Sequence, residues 1–258
     1  MGKVQGQFFQ TAAVFLIFCV EFVLAFYVGP QWSWVLGLSL LLLLCLFLGK
    51  WMMGLGSGIL ISERNLISLS RMQLVAWSVV IFSGYVVALI QRILHGVPNP
   101  LALQIDPYLW AVLGISTASF IGTPAVLSGK TGDTASPRAI EAAGKALNEA
   151  SADIQKNAVG KLYSNAAPAD ARLSDIFQGD EIGNTAYVDV SKVQMFILTV
   201  LLIGTYCADL WAKLASPGID FAHFALPSFS QGQLQLLAAS HAGYLTFKAI
   251  GHTTGSSQ

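Results

Sequence analysis

Charge is scarce in this chain. Only 11% of its 258 residues are Asp, Glu, Lys or Arg, against 54% hydrophobic, where soluble domains carry about 25% charged residues. Water could not solvate a surface drawn from this composition, and the mean hydropathy of +0.62 points the same way. The composition therefore specifies an integral membrane protein, all-α in fold class, and the lipid bilayer as its first partner. Net charge is formally zero, so no basic surplus exists for a nucleic-acid partner. Cysteine is equally sparse. Cys19, Cys45 and Cys207 lie in separate apolar runs without CxxC spacing, which argues against a disulfide framework or metal site.

Catalytic motifs are missing as well. There is no Ser-His-Asp order, HExxH, paired carboxylate cluster or Walker loop. Gly129-Lys130-Thr131 resembles the end of a phosphate loop, but Ala125 stands where the upstream glycine belongs. The histidines His95, His223, His241 and His252 are scattered over three depths. No enzymatic activity, cofactor or metal is expected.

What the chain has is long apolar runs. A spanning helix needs about 20 mostly apolar residues, and six segments qualify as crossings: 8–27, 32–53, 69–93, 107 to about 122, 193–212 and 231–250. Trp32, Trp34 and Trp51 suit interfacial anchors of the second. Gly54-Leu55-Gly56-Ser57-Gly58 ends that segment as a hinge or turn. Asp106 before Pro107 is a good N-cap, and Ser230 takes the equivalent place before the last segment. The domain reading is an N-terminal transmembrane hairpin over 1–60, a first repeat hairpin over 61–126, an insert over 127–189, and a second repeat hairpin with a short tail over 190–258.

The word repeat rests on residue matches. Ser70-Arg71-Met72-Gln73 and Ser191-Lys192-Val193-Gln194 each open an apolar run, and the same alignment pairs Tyr85 with Tyr206. Aligning Ser116 on Ser240 pairs Ala118 with Ala242. The two blocks are separated by 46 residues in one copy and 49 in the other. Lys3, Lys50, Arg64, Arg71, Lys192 and Lys248 flank the segments on the terminal side, and only Arg92 and Lys213 flank the other. By the positive-inside rule both termini are cytoplasmic. Both hairpins then enter from the cytoplasmic face, as a parallel repeat. The insert is cytoplasmic; Ser136-Pro137 starts a helix in it, and Ile140, Leu147 and Ile154 form a short heptad stripe, too brief for a coiled coil.

Candidate functional residues follow. Gly114, Ala118 and Gly122 are spaced by four, and Ala238, Ala239, Ala242 and Gly243 answer them in the second copy. Small residues at this spacing let helix backbones approach closely in lipid. They are read as a helix-packing or homo-oligomer seam. The sharper alternative is a central pore, with Ser116, Thr117, Ser119, Ser240 and His241 facing water. Glu21 is the one acid deep inside a span and a functional candidate on that ground, within geometric reach of His241. Gln73 and Gln194 are expected to cap backbone groups or meet across the pseudo-axis, and Arg71 and Lys192 to snorkel to phosphates. Asp209 and Lys213 read as an interfacial ion pair.

The pattern Ser68-Leu69-Ser70-Arg71-Met72-Gln73 followed by Val112-Leu113-Gly114-Ile115-Ser116, repeated more loosely at 190–194 and 236–240, resembles a group of bacterial polytopic membrane proteins. That resemblance covers the two hairpins and implies architecture, with no activity attached; the expected location is the bacterial inner membrane. The functional expectation is a non-enzymatic homo-oligomer, a pore or a platform whose insert docks a soluble cytoplasmic partner. The alternative is a small-solute or ion transporter using Glu21 and His241.

Overall fold

The structure, a computed structural model, describes residues 27–253 together with Leu16, Cys19, Val20, Val23 and Leu24. The segment expected at 8–27, and Glu21 with its reach to His241, fall largely outside the described residues. The described chain is helical, with isolated bridges but no strand. Its α-helices are α1 (Pro30–Met53), α2 (Leu69–Leu94), α3 (Pro107–Ser128), α4 (Pro137–Leu147), α5 (Ser151–Asn157), α6 (Val190–Ala215) and α7 (Gln231–Ala249). Four of them, α1, α2, α3 and α6, are long and apolar enough to cross a membrane.

The helix ends follow local chemistry. Ser68, Asp106, Ser136, Asp189 and Ser230 each accept a backbone N–H of the first turn, which satisfies donors that a helix start leaves orphaned. Gly54 ends α1 in the left-handed conformation, at φ 74°, where a side chain would be strained. The following 3-10 turn, Gly56–Leu60, folds back on α1. There a Cβ on Gly49 would lie 2.6 Å from the carbonyl oxygen of Gly56, so glycine is what allows the two backbones to touch.

α3 runs past its internal proline, Pro124, to Ser128. Only the last turn lies beyond the proline, so the cost of the lost hydrogen bond is confined to the helix end. The heptad stripe of the insert is not one helix. Asn148, left-handed at φ 56°, ends α4, and a new helix starts at Ser151. Ile140 and Ile154 meet instead by folding α5 back, in a small core with Leu66, Tyr163 and Ile182.

α2 and α6 begin at the same end of the bundle, and α3 and α7 finish there. This is the end the insert covers. The apolar core lies among α1, α2, α3, α6 and α7, around Trp77, Val87, Leu109, Leu210 and Leu237. The connector between α6 and α7 is part of that core. Phe229, the penultimate residue before α7, packs edge-on to Trp77 and stacks on Tyr206 at centroid distances of 5.6 and 5.8 Å. α7 therefore starts well inside the bundle, at the level of Trp77 and Tyr206, after an extended arm. Irregular backbone at such depth is tolerated where protein buries it, and Phe221, Leu226 and Phe229 are buried. This explains why α7, with Gln231, Gln233 and Gln235 in its first turns, is not among the four long apolar helices.

At the far end one residue ties the connectors together. Arg92, 5% exposed, donates to the carbonyls of Asn99 and Pro100 in the α2–α3 connector and of Phe221 and Ala222 in the α6–α7 connector.

Candidate functional site

The most charged interior of the described chain lies where the insert meets the helix ends. Its centre is the carboxylate of Asp180. Arg64 donates to Oδ1 at 2.5 Å, Lys192 lies 3.2 Å from Oδ2, and Lys248 donates to the same oxygen. These cations come from three places: the loop before α2, the first turn of α6 and the last turn of α7. Arg64 also donates to the carbonyls of Tyr163 and Asp180, and Lys192 to that of Gln178 at 2.6 Å. Beside this group Lys130 pairs with Glu181 at 2.6 Å and donates to the carbonyls of Lys248 and Ile250. Glu181 in turn accepts the backbone N–H of His252.

The chain around Asp180 is threaded tightly enough to fix it. A Cβ on Gly179 would fall 2.3 Å from the Asn184 side chain, and one on Gly183 would fall 2.3 Å from the carbonyl of His252. Burial pushes the Asp180 carboxyl up, but Lys192, Lys248 and Arg64 outweigh it and hold the group well below its ordinary value. Asp175 shows the opposite balance. Burial raises it, although the backbone N–H groups of Arg172 and Ile67 donate to it.

The cluster forms one wall of a cavity of about 530 Å³, within the roughly 300–1,000 Å³ range of small-molecule sites. Other walls are apolar: Phe120, Ile121, Leu127, Val159 and Leu162. Hydroxyls of Ser70, Thr123, Ser128 and Thr131 are interspersed. At the rim Arg71 pairs with Glu63 and lies 5.8 Å from the centre of the Phe120 ring. Four lining cations, Arg64, Arg71, Lys192 and Lys248, face three carboxylates, Glu63, Asp175 and Asp180. Three of the cations converge on Asp180, with the buried Asp175 beside them, while Glu63 is 79% exposed and pairs with Arg71 at the rim.

From the cavity a polar ladder climbs between α3 and α7. Thr123 donates to the Tyr244 hydroxyl at 3.3 Å, and one turn further Ser119 meets His241 Nδ1 at 2.5 Å. Ser116 and Ser240 are buried above them, and their hydroxyls have no protein partner; neither has His241 Nε2. Leu109, Val112 and Leu237, all essentially inaccessible, lie in the core beyond.

The anticipated residues fall as follows. Gly114, Ala118, Ala238, Ala239, Ala242 and Gly243 are exposed on the surface of the single chain. Gly122 is half-buried, and a Cβ there would sit 3.2 Å from Leu245. The α3–α7 seam within the chain is thus made by the hydroxyl and histidine side chains. Gln73 is buried and donates to Thr199 Oγ1 and the Met195 carbonyl, while Gln194 is exposed. They do not meet each other. Tyr206 is buried and Tyr85 half-buried. Asp209 and Lys213 pair at 3.5 Å. Lys192 does not snorkel: it is 4% exposed and turned onto Asp180. From sequence Arg64 reads only as a flanking charge and Lys130 only as part of a chance likeness to a phosphate loop, and Asp180 and Glu181 carry no signal of a site. The available signal was Lys248 lying on the buried face of α7, four residues after Tyr244 and seven after His241.

No family model matches the chain, and no curated protein or solved structure matches it significantly.

Proposed function

We propose that this is a polytopic membrane protein of six crossings, both termini cytoplasmic, that works by binding an anion at its cytoplasmic end and not by catalysis. The observation that carries the reading is the convergence of Arg64, Lys192 and Lys248 on the single carboxylate of Asp180 in the wall of the cavity. Buried charge is costly unless compensated; three cations share this one carboxylate, with Asp175 and Asp189 as the neighbouring buried acids. An anion entering the cavity would take up ammonium N–H groups that Asp180 leaves unspent. The half-buried cation at the rim of the cavity, Arg71, matches the positive-inside orientation. On this view the sixth crossing is the extended arm 224–230 followed by α7.

A second reading concerns assembly. The small residues Gly114, Ala118, Ala238, Ala239, Ala242 and Gly243 lie on the chain surface, where a second copy can approach closely. Their exposure supports a homo-oligomer, with the clamped insert as a fixed docking platform for a cytoplasmic protein.

The experiment is thermal unfolding of the purified chain against added soluble phosphate and against a phosphate-bearing lipid. Stabilisation by at least one of them, absent in Lys248→Met, is expected. No stabilisation by either removes the anion reading. Gly114→Leu with Ala118→Leu should lower the oligomer mass in detergent; an unchanged mass removes those residues from a subunit interface.

A further inference from the structure

We propose that the occupant of this cavity is an anionic amphiphile of the phospholipid class, with its phosphate on Lys192 and Lys248 and its chain along α3. The inference deepens the anion-binding reading above and rests on it. Four features select a lipid over a free anion.

The first is donor capacity. Lys248 spends one N–H on Asp180 and lies 4.7 Å from the centre of the Tyr244 ring, and Lys192 gives one N–H to the Gln178 carbonyl and pairs with Asp180 by charge at 3.2 Å. An ammonium group has three donors, so each lysine keeps at least one for an incoming oxygen. The second is the rest of the lining. A pocket for free phosphate would be small and polar throughout, but here Phe120, Ile121, Leu127, Val159 and Leu162 also line the cavity. Chain methylenes against them gain burial at about 25 cal/mol per Å².

The third is position. The cavity lies among the first turn of α2, the first turn of α6 and the last turns of α3 and α7. In a chain that crosses the bilayer with these helices, that is the depth of the phosphate groups of one leaflet. The fourth is access. Ile121, which lines the cavity, is 61% exposed on the outer surface of α3. The apolar wall is therefore continuous with the face that α3 turns outward, and a lipid chain can leave the cavity there without crossing water. The volume of about 530 Å³ suits a head group and the neighbouring part of one chain, with the remainder left in the bilayer.

Arg71 at the rim, held between Glu63 and the Phe120 ring, adds a further cation at the edge of the cavity. It is a positioning residue for the head group rather than part of the buried cluster.

The test is retention and affinity in the full-length protein, read by native mass spectrometry and by titration in nanodiscs. Three probes are used: phosphatidic acid, phosphatidylcholine and the soluble glycerol 3-phosphate. Phosphatidic acid should stay bound after detergent exchange and bind at least tenfold more tightly than phosphatidylcholine. Glycerol 3-phosphate should bind at least a hundredfold more weakly. Lys248→Met should reduce phosphatidic acid affinity at least tenfold. Arg71→Gln, a partly exposed site whose loss does not disturb the buried cluster, should reduce it about threefold to tenfold. Equal retention of phosphatidylcholine, or glycerol 3-phosphate bound as tightly as the lipid, overturns the lipid assignment; the latter result leaves the anion reading standing. Absence of binding by all three probes overturns both.

Discussion

Replacing Asp180 by Asn separates charge from shape at the centre of the structure. The amide keeps the volume and one acceptor oxygen, but the negative charge that Arg64, Lys192 and Lys248 share is gone. A unit pair about 4 Å apart at an effective dielectric of about 20 is worth about 4 kcal/mol, and Asp180 makes three such pairs, one of them at 2.5 Å and another at 3.2 Å. Its own desolvation offsets much of that sum. The net cost of breaking a buried ion pair by removing one partner is about 3–5 kcal/mol, and the three cations that share this carboxylate place Asp180→Asn in that range. At about 2–4 °C per kcal/mol for a chain of this size, the midpoint should fall by about 6–20 °C. Thermal unfolding in a single detergent, followed by tryptophan fluorescence, reads this directly. Adding Lys248→Met to Asp180→Asn removes one orphaned cation and should restore at least about 1 kcal/mol, a coupling typical of contacting residues. A loss under about 1 kcal/mol for Asp180→Asn, with no recovery in the double variant, would refute the view that this carboxylate holds the insert to the helix ends.

The pH dependence of the same variant has a definite sign. Asp180 is held below its ordinary value of 3.8 in the folded chain, so the unfolded chain binds more protons at acid pH and stability rises with pH there. The difference between wild type and Asp180→Asn should stay constant from about pH 7 to 5 and shrink below about pH 4; a difference shrinking between pH 7 and 6 would point to another group. Arg92→Met should cost at least about 3 kcal/mol, since hydrogen bonds to charged groups are worth about 1.5–3 kcal/mol each. It should expose the connectors 95–106 and 216–230 to proteolysis while leaving the insert protected, and equal protection of those connectors would contradict the clamp. Gly49→Ala should destabilise by about 1–3 kcal/mol, because its Cβ meets backbone rather than a movable side chain; a neutral result would mean the turn after α1 can shift freely.

How much of this was legible in the sequence differs from element to element. Hydrophobic runs and caps are local signals, so the helix starts at Pro107, Pro137 and Gln231 could be read from Asp106, Ser136 and Ser230. The insert was harder, because the stripe of Ile140, Leu147 and Ile154 reads as one continuous period. The left-handed Asn148 breaks it, and only the tertiary contacts with Leu66 and Ile182 reveal the second helix turning back. The site was the least legible part. Arg64 and Asp180 are 116 residues apart, and Lys248 is 68 residues from Asp180. Each lysine taken alone looked like a charge flanking a span. Which face of α3 meets α7 was hidden for a related reason. Gly114 and Ala118 have the spacing of a seam, yet Ser119 and Thr123, offset by one residue from Ala118 and Gly122, are the ones that carry hydrogen bonds to α7.

The central claim is that both hairpins enter the membrane from one face and meet the insert there. It is tested most directly by single-cysteine accessibility, with Cys19, Cys45 and Cys207 replaced by serine. Cysteines placed at Leu101 and His223, in the two far connectors, should label from the same side of sealed vesicles, and one at Lys145 in the insert only from the other. Labelling of positions 101 and 223 from opposite sides, or of 145 from the side they share, would contradict the account.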